Sequence, residues 1–265
     1  MRGILWDYSE KSSNVNRMKV YDKNFKRNDM SKVKDRKIIA LLFVVIMVAS
    51  LALMLCACND KEEKELTFEE EIANISKSTL GDTVCFGKYQ KSKSSETKEF
   101  IEWLVVDRQD KSVLLVSKYI IERNYIYPNT TATGTLHIWN NSYIRTWLNS
   151  TFIKTAFSVE ESAYIANTTI NDSDCGYSVD KVFLLSANQV KEYFSSNDKR
   201  KATATKYAAA IDWWTRSKPE KGTQVALQLR FAYVNSDGEI GADGYDCAPG
   251  YTKMGIRPAI WVSIK

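Results

Sequence analysis

The sequence predicts an α+β fold, a mostly antiparallel sheet with two or three helices gathered mid-chain. Three observations predict it. Strand-like alternation forms a meander after residue 80, capped segments with helical apolar spacing follow, and strand and hairpin patterns return towards the C-terminus.

Residues 82–89 (DTVCFGKY), 100–107 (FIEWLVVD) and 112–117 (SVLLVS) read as the meander, with a polar turn at 108–111. A stretch rich in Thr, Asn and Gly then runs over 124–136. Residues 141–149 (NSYIRTWLN) set Ile144, Trp147 and Leu148 at helical spacing behind an Asn/Ser cap, and Phe152, Ala156 and Phe157 extend that face. Ser158, with Glu161 three positions on, is a capping box that opens another helix. Residues 182–185 read as a short buried strand. Ser186 caps a helix over 187–194, whose Val190, Tyr193 and Phe194 form one stripe. In the last third, 226–234 (ALQLRFAYV) is a strand and Asp237-Gly238 a hairpin signal. A loop rich in Gly, Asp and Tyr spans 241–252, and 256–264 closes the chain, with Pro258 suited to an edge or a strand start. No repeat or linker divides 81–265, which reads as a single globular domain.

Upstream of the domain the charges are uneven. Residues 1–37 carry 11 basic and 5 acidic residues, 38–58 carry none, and 59–265 carry 26 basic and 27 acidic. The basic balance therefore belongs to the leader, and a nucleic-acid footprint on the folded part is excluded. The uncharged run 38–58 is 21 residues long, enough to span a membrane as a helix, and Lys32, Lys34, Arg36 and Lys37 precede it. The end of that run, Leu55-Cys56-Ala57-Cys58, resembles a bacterial lipobox, which implies diacylation at Cys58; Leu53-Met54-Leu55-Cys56 is the alternative. An uncleaved signal anchor is the competing reading, favoured if translation starts at Met1 rather than Met30. Either one puts the rest of the chain outside the cell, on the outer face of the membrane. Residues 59–80 then form an acidic tether, with a short helix over 68–75 that stands in the tether or packs on the domain.

Several segments together resemble a bacterial extracytoplasmic family, domain of unknown function 6273. They include Gly81-Asp-Thr-Val, Ile101-Glu-Trp-Leu-Val, residues 139–149, residues 180–186, Trp213-Trp-Thr-Arg-Ser and Gly255-Ile-Arg-Pro-Ala. The last two also look like segments of the C-type-lectin-like fold of sulfatase-modifying enzymes. The resemblance implies a sheet in which first and last strands pair, with long loops presenting a ligand face, and it implies no reaction. The Glu-Pro-Asn loop of calcium-dependent lectins is missing, and Trp139-Asn140-Asn141 stands where their Trp-Asn-Asp motif carries a calcium ligand.

Chemistry is narrowed by what is scarce. His137 is the single histidine, which excludes a His-rich zinc site or a His-Glu-x-x-His helix. Phosphate loops and Gly-x-Ser-x-Gly elbows are missing as well. Formylglycine chemistry needs a close cysteine pair near the C-terminus, where Cys247 stands alone; Cys175–Cys247 is a candidate disulfide and Cys85 a small core residue. Asp237, Glu239, Asp243 and Asp246 lie among glycines, a pattern that reads as a hairpin turn and solvated loop or as a calcium cluster; Asn171, Asp172 and Asp174 read the same way. Arg145, Arg216 and Arg257 are expected to stack on aromatic rings or bond loop carbonyls. Tyr125, Tyr127, Tyr245 and Tyr251 sit in polar loops, where large rigid rings with polar tips suit a contact surface. These tyrosines, with Asp243 and Asp246, are the candidate binding residues for an unknown glycan or protein ligand, with no metal or cofactor required. Alternatives are an envelope-processing enzyme using Cys247 or the 237–246 loop, and a scaffolding lipoprotein.

Overall fold

The computed structural model describes residues 65–90, 97–123, 138–173, 175–223, 230–241, 243–246 and 254–264. It opens on a helix, α1 (Phe68–Lys77), and the strands β1 (Thr83–Gln90), β2 (Lys98–Gln109), β3 (Ser112–Ser117) and β4 (Glu122–Arg123). A helical stretch follows: α2 (Tyr143–Trp147), a π-turn (Leu148–Phe152), α3 (Ile153–Ala156) and α4 (Val159–Tyr164). Next come β5 (Thr168–Asp172), β6 (Gly176–Asp180), β7 (Val182–Leu184), α5 (Ala187–Tyr193) and α6 (Asn197–Arg200). The last elements are β8 (Trp213–Trp214), β9 (Arg230–Phe231), β10 (Tyr233–Val234), β11 (Tyr245–Asp246), β12 (Gly255–Ile256) and β13 (Pro258–Ser263).

The fold is α+β, with an antiparallel five-stranded sheet in the order β1-β2-β3-β13-β7. In β2 burial alternates through Ile101, Trp103 and Val105, so one face is core and the other half-covered. Strands β3 and β7 are buried almost throughout, as central strands covered on both faces are. The first and last strands do not pair. β13 lies between β3 and β7 while β1 takes the edge, so Pro258 occupies a strand start in a central strand. Gly87, at the irregularity in β1, has φ +69°, and a Cβ there would stand 2.5 Å from the Phe157 ring. A smaller sheet orders β10-β8-β12-β4, and β5–β6 and β9–β11 are separate pairs.

Helix α1 belongs to the folded unit. Of the two readings of the helix in 59–80, standing in the tether or packed on the domain, the second is observed: Ile75 is fully buried and Phe68 packs edge-on to Tyr164 at 5.0 Å. Thr67 and Glu70 form its capping box, and Arg108 donates to the carbonyls of Ile75, Ser76 and Ser78 at its far end. The apolar residues are few but lie on one face, and that spacing outweighs mean composition.

The expected helix over 141–149 continues to Ala156, with the π-turn inside it. The turn sets Asn149 against β7: its Oδ1 accepts from the Lys181 and Val182 N–H groups at 2.9 and 3.1 Å, and its Nδ2 donates to the Val182 carbonyl at 2.8 Å. A side-chain amide thus stands in for a strand partner. Capping boxes at Ser158/Glu161 and Ser186/Gln189 open α4 and α5.

Candidate functional site

The buried polar groups are mostly structural. Asp180 is 1% exposed and accepts from Trp139 Nε1 at 2.9 Å, Arg145 Nε at 2.7 Å and Ser178 Oγ at 2.8 Å. That junction fastens the turn at Trp139–Asn141 to β6. Arg216 bonds Asp172, the Leu184 carbonyl and Gln189, and Arg257 bonds the Ser117 and Arg200 carbonyls between Phe194 and Trp213. All three arginines therefore act as the sequence anticipates, and burial pulls the Arg257 guanidinium down to about 10. In the sequence Asp180 appears only as the first residue of the family-like segment 180–186; its three donors identify its role.

Of the residues the sequence put forward for binding, Tyr245 and Asp243 are fully described. The Tyr245 ring is half-buried, 6.1 Å from Trp214 and 5.6 Å from Tyr233, while Asp243 is exposed. The Asp246 backbone pairs with Arg230. Tyr125, Tyr127, Tyr251, Cys58, Cys247, His137 and the run 38–58 lie outside the described residues. Asp237 and Glu239 sit in a tight turn where the Asn235 side-chain oxygen accepts from both of their N–H groups, at 3.0 and 2.8 Å. Asn171 and Asp172 lie on a hairpin strand, with Asp172 committed to Arg216. Among the described residues no cluster of three or more His, Cys, Asp or Glu is arranged to hold a metal ion. Cys175 is fully buried with Sγ 3.2 Å from the Arg216 carbonyl oxygen, and Cys85 is half-buried. No described helix is long and apolar enough to cross a membrane.

The concave feature the sequence did not announce lies at the edge of the large sheet. A cleft of about 290 Å³ is lined by Tyr89 and Phe100 from β1 and β2, Tyr119 after β3, and Tyr207 from the segment after α6. Its size is near the lower end of small-molecule sites, about 300–1,000 Å³. Gln90, Glu99, Glu102 and Lys206 supply its polar groups. Lysines ride on three of the four rings: Lys88 over Phe100 at 4.5 Å, Lys118 over Tyr119 at 5.4 Å and Lys206 over Tyr207 at 5.6 Å. Lys118 also pairs with Glu102 at 2.6 Å, and that carboxylate holds its ammonium above the ordinary lysine value. Tyr89 is anchored against Phe152 at 5.2 Å, and burial, then Glu122, push its phenol upward. Tyr207, by contrast, is 89% exposed. It is a tyrosine in a polar loop, the same signal that singled out Tyr125 and Tyr127; Tyr89 lies within β1 and Tyr119 just after β3, where that loop signal is missing.

A family model described as a domain of unknown function, DUF6273, matches residues 110–264, more than half of the chain. The match runs from β3 to β13 and takes in Tyr119 and Tyr207, while Tyr89 and Phe100 lie before it. No curated protein and no solved structure matches the chain.

Proposed function

We propose that this chain, which belongs to the DUF6273 family, is a membrane-anchored extracytoplasmic binding protein that takes a glycan segment into the aromatic cleft. The observation that carries the reading is four aromatic rings around one cleft with carboxylate and amide groups between them. Sugar rings offer C–H faces that pack on tyrosine and phenylalanine, and hydroxyls that donate to Glu99 and to the Gln90 side-chain oxygen. Lysines already ride on three of the rings, so the fit is to a neutral, flat-faced ligand rather than a cationic one. The anchor is the run 38–58, with lipid attachment at Cys58 or retention of the helix, and bacterial origin follows from the lipobox-like segment. The sequence supports a second reading, in which Tyr125, Tyr127, Tyr245, Tyr251, Asp243 and Asp246 contact a glycan or protein.

A glycan array probed with the full-length chain and with Tyr119→Ala and Tyr207→Ala tests the cleft. Binding that falls several-fold, up to about ten-fold, in each variant is expected, from roughly 0.5–1.5 kcal/mol per lost aromatic contact. No glycan hit, or hits indifferent to both substitutions, refutes it. Mass spectrometry of the membrane-extracted protein tests the anchor, where a diacylated N-terminal peptide beginning at Cys58 is expected.

A further inference from the structure

The aromatic cleft opens where two strands part. The ladder between β2 and β3 ends at Trp103 opposite Ser117, yet β1 goes on pairing with β2 as far as Lys98. Beyond Ser117 the chain leaves the large sheet. The Ile120 N–H donates to the Thr203 carbonyl at 2.9 Å, and the Ile121 N–H to the Ile256 carbonyl at 3.0 Å. Phe100 and Glu102 of β2 line the resulting gap together with Ile120 and Ile121.

The direction of the β2 backbone in that gap follows from its hydrogen bonds. Val105 donates to the Asp82 carbonyl and accepts from the Gly81 N–H, so its groups face the β1 side. The Glu102 carbonyl accepts from the Lys118 N–H at 2.9 Å and so faces the other way. Backbone groups alternate sides along a strand, which turns the Phe100 N–H and carbonyl and the Glu102 N–H away from β1 as well. Among the described residues no strand lies opposite these three groups. Both residues are half-buried, within reach of solvent.

A ligand that fills the gap has to offer an acceptor to the Glu102 N–H and a donor to the Phe100 carbonyl, because backbone groups left dry are costly. It also needs an apolar part, since Ile101, Ile120 and Ile121 lie beside them in the lining. A sugar hydroxyl meets the first need and not the second. An ammonium accepts no hydrogen bond and would add a cation to rings that already carry lysines. An acetamido group brings a carbonyl acceptor and a methyl at once.

We infer, resting on the glycan reading above, that the sugar taken into this cleft is an N-acetylated amino sugar. Its acetamido carbonyl accepts from the Glu102 N–H, the neighbouring ring hydroxyl donates to the Phe100 carbonyl, and its methyl packs on Ile120 and Ile121. The open strand edge reads the acetamido group, while Tyr119 and Tyr207 take the face of the sugar ring. No covalent bond forms or breaks.

The test compares sugars that differ at a single ring position. The full-length chain is titrated calorimetrically with chitotriose, its deacetylated form and cellotriose, and with N-acetylgalactosamine against galactose. Hydrogen exchange read by mass spectrometry then follows residues 100–102 at saturation. Binding at least about ten-fold tighter for the N-acetylated member of one pair or both is expected, the combined return of one hydrogen bond and one buried methyl. Exchange across 100–102 should slow when that sugar binds. Equal or tighter binding of cellotriose and galactose, or of the deacetylated trimer, overturns the inference and leaves the glycan reading in place. Unchanged exchange across 100–102 with the N-acetylated sugar bound overturns it too. If none of these sugars binds, the inference falls, and the array with Tyr119→Ala and Tyr207→Ala decides the glycan reading separately.

Discussion

Replacing Glu71 by Gln should stabilise the fold, and by an amount that depends on pH in a defined direction. The folded carboxyl holds its proton up to about pH 8, whereas the unfolded one loses it near 4.5. Between those values the folded state binds more protons, so the contribution of Glu71 to stability falls as pH rises and levels off above about 8. One pKa unit is about 1.4 kcal/mol, so the full span is about 5 kcal/mol and the part lost by pH 7 about 3 kcal/mol. Gln keeps the shape, donates to the Glu161 carboxylate and cannot ionise. Urea unfolding of both proteins at about pH 5, 6, 7 and 8 isolates the effect, because titrating groups that do not interact with Glu71 cancel in the difference. The variant should exceed the wild type by about 1 kcal/mol at pH 5 and by about 3 kcal/mol at pH 7, the latter a rise of roughly 6–12 °C in Tm for a domain of this size. A difference that does not change with pH, or one that shrinks as pH rises, refutes the reasoning.

Three further outcomes follow from buried contacts. Asp180→Ala strands the Trp139 indole N–H and the Arg145 guanidinium and should cost about 3 kcal/mol or more in denaturant unfolding; a loss below about 1 kcal/mol would show that the junction is dispensable. Gly238→Ala places a methyl 1.9 Å from the Asn197 carbonyl oxygen at φ +84°, so a loss above about 2 kcal/mol is expected by the same measurement, with the turn at Asn235 opened. Arg257→Lys keeps the charge but loses the fork to the Ser117 and Arg200 carbonyls and the stacking between Phe194 and Trp213, so thermal melts should show a loss of about 2 kcal/mol; an unchanged melt would contradict the role given to the guanidinium.

Local signals carried far in this chain. The meander, the capping box at Ser158, the cap at Ser186 and the turn ahead of Gly238 were legible because each depends on residues within a few positions of one another. The sequence leaves the place of α1 open between the tether and the domain for the opposite reason: Ile75 is buried by residues distant in sequence, and an acidic segment does not name the surface that receives it. Strand order was similarly hidden. Pairing of β13 with β3 and β7 brings together segments more than a hundred and about seventy residues apart, and nothing local distinguishes that arrangement from closure on β1.

The sequence by itself determined the α+β class, the uncharged run at 38–58, the near-neutral exported part and the exclusion of histidine-based chemistry, since composition and short-range periodicity suffice for each. Only the tertiary structure decided which side chains share a space. Tyr89 and Tyr207 line one cleft, Glu71 meets Glu161, and Asp180 collects donors from Trp139 and Arg145, because long-range packing sets those distances and residue spacing along the chain does not.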